Sequence, residues 1–376
     1  MPLRICCPCH FGLESILAFE VRRLGGTDID TRDGRVCFTG EWEHVARANI
    51  ELRTAERVGL LLAEFPAGSF EELFQGVRKI PWEQYIDRRD AFPVKGYALS
   101  SQLHSVPDCQ SIVKKAVVER LKSAYRLNWF EETGALHQIQ FSILKDQVSI
   151  LLDTSGAGLH KRGYRKNANE APIRETLAAG IADLAHIRGD SVVTDPFCGS
   201  GTLLIEAGLK ALNIAPGISR PFAAERWRQM SKSYWQQARE NALDVVKRDV
   251  SFAAYGSDID AESVALTLEN AKKVGLGTRI HVKQAPVAAF SYEDSGDAIM
   301  LTNPPYGERM LEVEEAKELY RTLGKLIKPS SARPLYLITA DEEFEQVFKR
   351  KADKRRKLYN GMLRCHLYMY FKDTRR

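Results

Sequence analysis

The sequence predicts an α/β fold: a mostly parallel sheet wrapped by helices and ending in an antiparallel hairpin, preceded by two small α+β modules. From "SVVTD" at residue 191 onward, short buried runs alternate with amphipathic ones for more than 150 residues, the pattern of a parallel sheet covered on both faces. "KRRKLYNGMLRCHLYMYF" places Asn360-Gly361 between two strand-like runs, the strongest short hairpin signal available. At 376 residues, with 44% hydrophobic and 27% charged residues, the chain has ordinary globular composition and length for two or three buried cores.

The elements follow in order. "LRICCPC" reads as a strand, "LESILAFEVRRLG" as a helix stopped by Gly25-Gly26, "RVCFTG" as a strand and "EWEHVARANIELRTAERV" as a helix. Together they suit a ferredoxin-like unit over residues 1–64. Over 65–155, a start at Phe92-Pro93-Val94, a helix carrying Lys114, Lys115, Arg120 and Lys122, and the strands of "HQIQFSILKDQVSILLDTS" describe a small module that meets a backbone rather than enclosing a pocket. The glycine-rich basic loop "TSGAGLHKRGYRKNANEAP" supplies a linker at 156–171, with Pro172 near the first turn of the next helix. Within 172–376, "SVVTD", "AAYGSDID", "TRIHVKQ", "DAIMLTN" and "RPLYLITA" are strands, while "TLLIEAGLKAL" and "AESVALTLENAKKVG" are helices, the second closed by Gly275.

Composition excludes several classes. No stretch reaches the eighteen or more apolar residues of a membrane span, and Glu14 and Glu20 come too early for a signal or transit peptide, so a cytoplasmic protein is expected. Seven cysteines without framework spacing imply reduced thiols. "CCPCH" matches a haem-attachment pattern and offers half a zinc site in Cys6 and Cys9, but no second half follows at matching spacing. A strand packed with small apolar cysteines is the expectation, and no metal is. The net charge of +5 is uneven: residues 349–376 carry eleven Lys/Arg against Asp353 and Asp373, a basic patch suited to a polyanion, most often nucleic acid.

"VVTDPFCGSGTLLIEA" places Asp195 at the carboxyl end of a strand, with Gly199 and Gly201 opening a helix. Ligands of doubly wound sheets bind there, and glycines admit a close backbone approach. No Gly-Lys-Ser/Thr follows, so this is not a phosphate loop, and a carboxylate is misplaced beside a pyrophosphate. It suits a cation, and S-adenosylmethionine carries both an ammonium and a sulfonium. Asp258, ending the next strand, can accept ribose hydroxyls. It lies 63 residues after Asp195 rather than about twenty, so a helical insertion is expected near 212–250, its Trp227 and Trp235 packing rather than stacking on bases.

"LTNPPYGERM" ends a further strand on Asn303, Pro304, Pro305 and Tyr306. The Asn303 carboxamide and the Pro304 carbonyl are two acceptors held by rigid backbone with no competing donor. They suit an exocyclic amine, whose ring Tyr306 can stack upon once the base has left its helix.

"DPFCGSG" with "NPPYG" resembles the class I amino-methyltransferases. "LLDTSGAGLHKRGYR", "EAPIRETLAAG", "NIAPGISRPFAAERW" and "DKRRKLYNG" extend the similarity, over nearly the whole chain, to THUMP-domain guanine-N2 RNA methyltransferases of the bacterial large-subunit ribosomal type. The resemblance implies a Rossmann-like methyltransferase domain preceded by ferredoxin-like and THUMP modules, the latter docking RNA. It implies S-adenosylmethionine held by Asp195, Pro196, Phe197, Cys198, Gly199, Gly201, Thr202, Asp258 and Asn303, with Asn303 to Tyr306 holding the N2 amine of a guanosine in 23S rRNA. Transfer RNA, adenine-N6 transfer, and a non-catalytic assembly factor are the alternatives. "KQAPVAAF" departs from the family, with Ala285 and Pro286 where an acidic residue often holds the adenine. Lys161, Arg162 and Arg165 are expected to meet phosphates or to shape the methyl-donor pocket, and Arg309, Lys354, Arg355, Arg356 and Lys357 to meet RNA phosphates.

Overall fold

The computed structural model describes residues 2–165, 173–290, 298–306, 310–327 and 333–371. The chain forms two compact units: residues 1–8, 18–159 and 220–240 make the first, and residues 9–17, 160–219 and 241–376 the second. The N-terminal half contains β1 (Leu3–Pro8), α1 (Glu14–Leu24), β2 (Thr27–Arg32), β3 (Arg35–Gly40), α2 (Trp42–Glu51), β4 (Gly59–Pro66), α3 (Phe70–Arg78), β5 (Val94–Leu99), α4 (Val106–Tyr125), β6 (Ile139–Leu144) and β7 (Gln147–Asp153). One seven-stranded sheet, in the order β2-β3-β1-β4-β7-β6-β5, runs through both expected modules. The join is the antiparallel pairing of β4 with β7, from Gly59 opposite Asp153 to Pro66 opposite Gln147.

The cysteines of "CCPCH" are packing groups, with Cys6, Cys7 and Cys9 all buried and all seven cysteines held as thiols rather than disulfides. Ser69 caps α3, accepting the Glu72 N–H at 3.3 Å, while Glu72 accepts the Ser69 N–H at 3.1 Å, a reciprocal box that satisfies two otherwise orphaned donors. Trp227 and Trp235 of the insertion are buried, Trp227 stacked on His137 at 4.4 Å and Trp235 on Phe222 at 5.3 Å, as packing residues. The expected backbone-binding cations of α4 are mostly engaged: Lys114 meets Glu132, Arg120 meets Glu83 and Lys122 meets Glu119.

The remaining elements are α5 (Glu175–Leu184), β8 (Val192–Asp195), α6 (Thr202–Ala211), α7 (Lys232–Asp244), β9 (Ala253–Asp258), α8 (Ala261–Lys273), β10 (Ile280–Gln284), β11 (Ile299–Thr302), α9 (Met310–Leu326), β12 (Leu335–Thr339), α10 (Phe344–Phe348), β13 (Lys354–Asn360) and β14 (Leu363–Tyr370). Their sheet has the order β10-β9-β8-β11-β12-β14-β13. The first five strands are parallel, and β14 and β13 add the expected antiparallel hairpin. The hairpin falls where Asn360-Gly361 predicted one, but its two-residue turn is Gly361-Met362: Asn360 pairs with Leu363 as the last residue of β13, and Gly361 takes the left-handed φ of 65°.

Alternation along the strands feeds two cores. Leu301, Tyr336, Ile338, Leu367 and Met369 pack with α5 and α6 on one face. Met300, Leu335, Leu337, Tyr368 and Tyr370 pack on the other with Tyr320 and Leu323 of α9 and Phe344 and Phe348 of α10. Each fully buried side chain of this size contributes about 1.5–3 kcal/mol of transfer free energy, so both helical layers hold the sheet. The strand order reverses between β8 and β11, and Asp195, Asp258 and Asn303 all leave carboxyl ends near that reversal, where an open α/β sheet forms its crevice. Among the described residues no helix is long and apolar enough to cross a membrane.

Candidate active site

Asp195 is the buried anchor, 1% exposed at the end of β8. Its Oδ1 accepts the Phe197 N–H at 3.0 Å and the Thr302 hydroxyl at 2.7 Å. Burial pushes the carboxyl up to about 7, and the charge of Asp258 adds to it, while the bonds from Thr302 and Phe197 pull the other way. A buried carboxylate without a cationic partner among these contacts gains most from a positively charged ligand.

The loop after Asp195 is pinned by β9 and α8. Cys198 donates its N–H to the Ser257 carbonyl at 3.0 Å, and Gly199 donates to Asp258 Oδ2 at 2.9 Å. Thr267 donates to the Gly199 carbonyl at 2.7 Å, and Asn270 to the Ser200 carbonyl at 3.1 Å. The two glycines serve different ends. Gly201, at φ 80°, has no room for a side chain, since a Cβ there would lie 2.6 Å from Thr267 Cγ2. Gly199, at φ 51°, faces open space, with nothing within 4 Å of the same added atom. A loop with its backbone exposed at one glycine and its frame locked at the other fits the close approach of a ligand.

Asp258 also accepts the Asp260 N–H at 3.0 Å, so backbone bonds orient its carboxylate while each oxygen keeps a second lone pair for a ribose hydroxyl. Asp260 has a separate role: it caps α8, taking the N–H groups of Glu262 and Ser263. Ile259, between the two acids, is 72% exposed and offers an apolar surface beside Asp258. The Ala285 N–H, at the departure from the family pattern, is taken by the Asp258 carbonyl at 2.9 Å. The Cys198 thiol is pushed up by burial and by the charges of Asp195 and Asp258, so it stays protonated and is no nucleophile.

The acceptor loop is fixed from both sides. Thr302, just before Asn303, is tied to Asp195. Beyond it, the buried Tyr320 phenol donates to the Pro305 carbonyl at 3.0 Å and lies 3.0 Å from Thr339 Oγ1, which in turn accepts the Asp341 N–H at 3.1 Å. Asn303 and Tyr306 are half-buried, Pro304 is buried and Pro305 is exposed. Thr302 and Tyr320 were not among the expected site residues. Their signals were present: a hydroxyl at a fully buried strand end, and a phenol on the apolar stripe Ala316, Tyr320 and Leu323 of α9.

The loop cations divide. Arg162 is 6% exposed and its Nε meets Glu206 Oε1 at 3.4 Å, where Tyr164 also donates at 3.2 Å. Arg165 bonds Thr202 at 3.3 Å and pairs with Glu175 at 3.1 Å. Burial against carboxylates corrects the expectation that Arg162 meets a phosphate, because desolvated charges are held by their partners. Arg162 is thereby tied to α6, and Arg165 to α5 and to Thr202 at the start of α6, beside the cofactor loop. Lys161 is exposed. Arg309 lies outside the described residues. Lys354, Arg355 and Lys357 are exposed on β13, whereas Arg356 is half-buried and donates to the Gly12 carbonyl at 3.1 Å. Among the described residues no cluster of three His, Cys, Asp or Glu side chains is placed to hold a metal ion.

A parallel sheet with a glycine loop and two strand-end carboxylates, its acceptor loop tied to the first of them, defines a class I S-adenosylmethionine-dependent methyltransferase. Family models agree: an RMKL-like methyltransferase domain matches residues 162–369, an RlmL ferredoxin-like domain residues 4–59 and a THUMP domain residues 67–153. The chain belongs to this RMKL-like methyltransferase family. It is 43% identical to YpsC of Bacillus subtilis (strain 168), provisionally named an RNA methyltransferase, over 97% of this chain and 94% of that protein. It is 34% identical to the ribosomal RNA large subunit methyltransferase K/L of Shewanella sp. (strain MR-4) over 96% of this chain, but spans 51% of that relative's length. A provisionally described methylase from Clostridium difficile 630 superimposes with a TM-score of 0.95 at 42% identity, each chain covered in full. SMU.472, a methyltransferase by provisional description that was solved with SAH, superimposes with a TM-score of 0.92 at 38% identity over 100% of this chain and 99% of that one. A Listeria monocytogenes str. 4b F2365 structure described as a "predicted N6-adenine-specific DNA methylase" matches with a TM-score of 0.92 at 43% identity over 99% and 97% of the two chains.

Proposed function

We propose that this chain methylates the exocyclic N2 amine of a guanosine in 23S ribosomal RNA. The observation that carries the reading is the 2.7 Å bond from Thr302 to Asp195, which couples the acceptor loop to the carboxylate of the cofactor loop. Cofactor and amine sites are thereby held in one frame, which is what an in-line transfer requires. S-adenosylmethionine, when bound, supplies a methyl group activated on a sulfonium. Asp195, Gly199, Gly201 and Asp258 hold it through charge, backbone approach and ribose hydroxyls. Asn303 and the Pro304 carbonyl accept the two amine hydrogens, favouring lone-pair density directed at the methyl group, and Tyr306 stacks on the base. No covalent enzyme intermediate is needed, since the thiol in the loop stays protonated.

An RNA rather than DNA substrate follows from the THUMP module at 65–155, to which this reading gives the docking of RNA. The K/L relatives favour large-subunit ribosomal RNA over transfer RNA. Asn303→Ala tests the assignment. Turnover on RNA falls at least a thousandfold while S-adenosylmethionine affinity changes less than threefold. Undiminished turnover removes the role given to the loop.

A further inference from the structure

The C-terminal hairpin has two unlike faces. Leu358, Cys365, Leu367 and Met369 are buried in the core. On the other face the register pairs Arg355 with Tyr368, Lys357 with His366 and Tyr359 with Arg364, so cations alternate with aromatic rings across the two strands. Arg355, Lys357, Arg364, His366 and Tyr368, together with Glu342 from the loop after β12, line a cleft of about 480 Å³.

Charge on an edge strand often only prevents sheet-to-sheet pairing, and β13 is an edge. That explanation does not reach Arg364 and His366, which sit on β14, a strand paired on both sides. Nor does it require a concave site with rings between the charges. Three cations face one carboxylate in the lining. Arg364 reaches Glu342 at 3.5 Å and Arg355 reaches Glu345 at 3.4 Å, but these pairs are largely exposed at the arginines, and such pairs are worth under about 1 kcal/mol. A phosphate displaces them readily. His366 is held below the ordinary imidazole value by partial burial and by Arg364 and Arg355, so it enters the cleft uncharged and able to bond a ribose hydroxyl.

The cleft opens at the catalytic end of the sheet. His366 is opposite Thr339, the last residue of β12, and Thr339 is bonded to the Tyr320 that holds Pro305. Tyr368, in the cleft wall, donates to the Asp341 carbonyl at 3.3 Å in the same turn.

We propose that this cleft grips the sugar-phosphate backbone of the RNA strand flanking the target nucleotide, with Lys357, Arg364 and Arg355 on phosphates. The inference rests on the RNA reading above and adds a second anchor next to the acceptor loop. Such phosphate-binding groups position a strand without reading its sequence.

The test is the double variant Lys357→Gln/Arg364→Gln beside its charge-keeping counterpart Lys357→Arg/Arg364→Lys, assayed on ribosomal RNA across a salt series. In the glutamine variant KM for RNA rises at least tenfold, and the slope of log affinity against log salt becomes shallower by about two, one for each phosphate no longer neutralised. Its S-adenosylmethionine affinity matches the wild type, which reports an intact fold, and the charge-keeping variant recovers most of the RNA affinity. Unchanged RNA affinity and salt slope in the glutamine variant overturn the cleft while leaving the enzyme's assignment intact. An equal loss in both double variants also overturns it, since that reports packing and not charge. A wild-type protein that methylates no RNA, with cofactor bound, removes the parent reading instead.

Discussion

Replacing Asp195 by asparagine separates the cost of a buried charge from its use. The carboxyl titrates near 7 in the folded chain against an ordinary 3.8. Between those values the folded protein holds a proton that the unfolded chain has released, so stability falls as pH rises from about 4 to about 7 and is level above. A tenfold difference in acidity is worth about 1.4 kcal/mol, which bounds the cost of the ionised group at about 4 kcal/mol at pH 8. Asparagine keeps an oxygen for the Thr302 and Phe197 donors and sheds the charge. The variant without cofactor is therefore more stable than wild type at pH 8, by up to that amount, and the two converge near pH 4. Its S-adenosylmethionine affinity moves the opposite way, falling about ten- to a hundredfold once the carboxylate charge is gone. All five tryptophans lie in the first unit, so their fluorescence does not report this site. Hydrogen exchange in β8 and β11, followed against pH, and calorimetric titration with the cofactor do. Parallel pH profiles for the two proteins, or equal cofactor affinity at pH 8, refute the reasoning.

The loop's other supports give sharper losses. Tyr320→Phe removes the donor to the Pro305 carbonyl and the partner of Thr339; kcat falls about tenfold, the effect of about 1.4 kcal/mol of weakened positioning, cofactor affinity is nearly unchanged in binding assays, and the buried groups left unpaired cost about 1–3 kcal/mol in calorimetric unfolding. Gly201→Ala combines left-handed strain with a 2.6 Å clash and costs about 2–4 kcal/mol in urea unfolding, whereas Gly199→Ala, with open space around it, costs about 1 kcal/mol and shows its effect mainly as weakened cofactor binding.

Much of this molecule was legible because local periodicity and strand-end chemistry coincide. The strand–helix alternation after residue 191, the hairpin at Asn360-Gly361, and Asp195, Asp258 and Asn303 at carboxyl ends all follow from short windows of sequence. β2 was not foreseen, since "TDIDTR" is polar and exposed along most of its length and carries no apolar alternation. The single sheet through both N-terminal modules depends on β4 finding β7 more than eighty residues away, a register no local pattern encodes. The same distance problem hid the partners of Arg162 and Arg165. A basic loop reads as solvated until Glu206 and Glu175, both buried on helices, are seen to claim it. Tyr320 is a core residue whose ring packs with Phe344, and only its phenolic oxygen reaches the acceptor loop, a reach no short window of sequence shows.

The identity of the methylated nucleoside tests the assignment most directly. Labelled S-adenosylmethionine, incubated with the protein and unmodified ribosomal or transfer RNA, is followed by digestion and mass identification of the labelled nucleoside. N2-methylguanosine in large-subunit ribosomal RNA is the product the proposed function predicts. N6-methyladenosine, label confined to transfer RNA, or no label with cofactor binding confirmed contradicts that assignment.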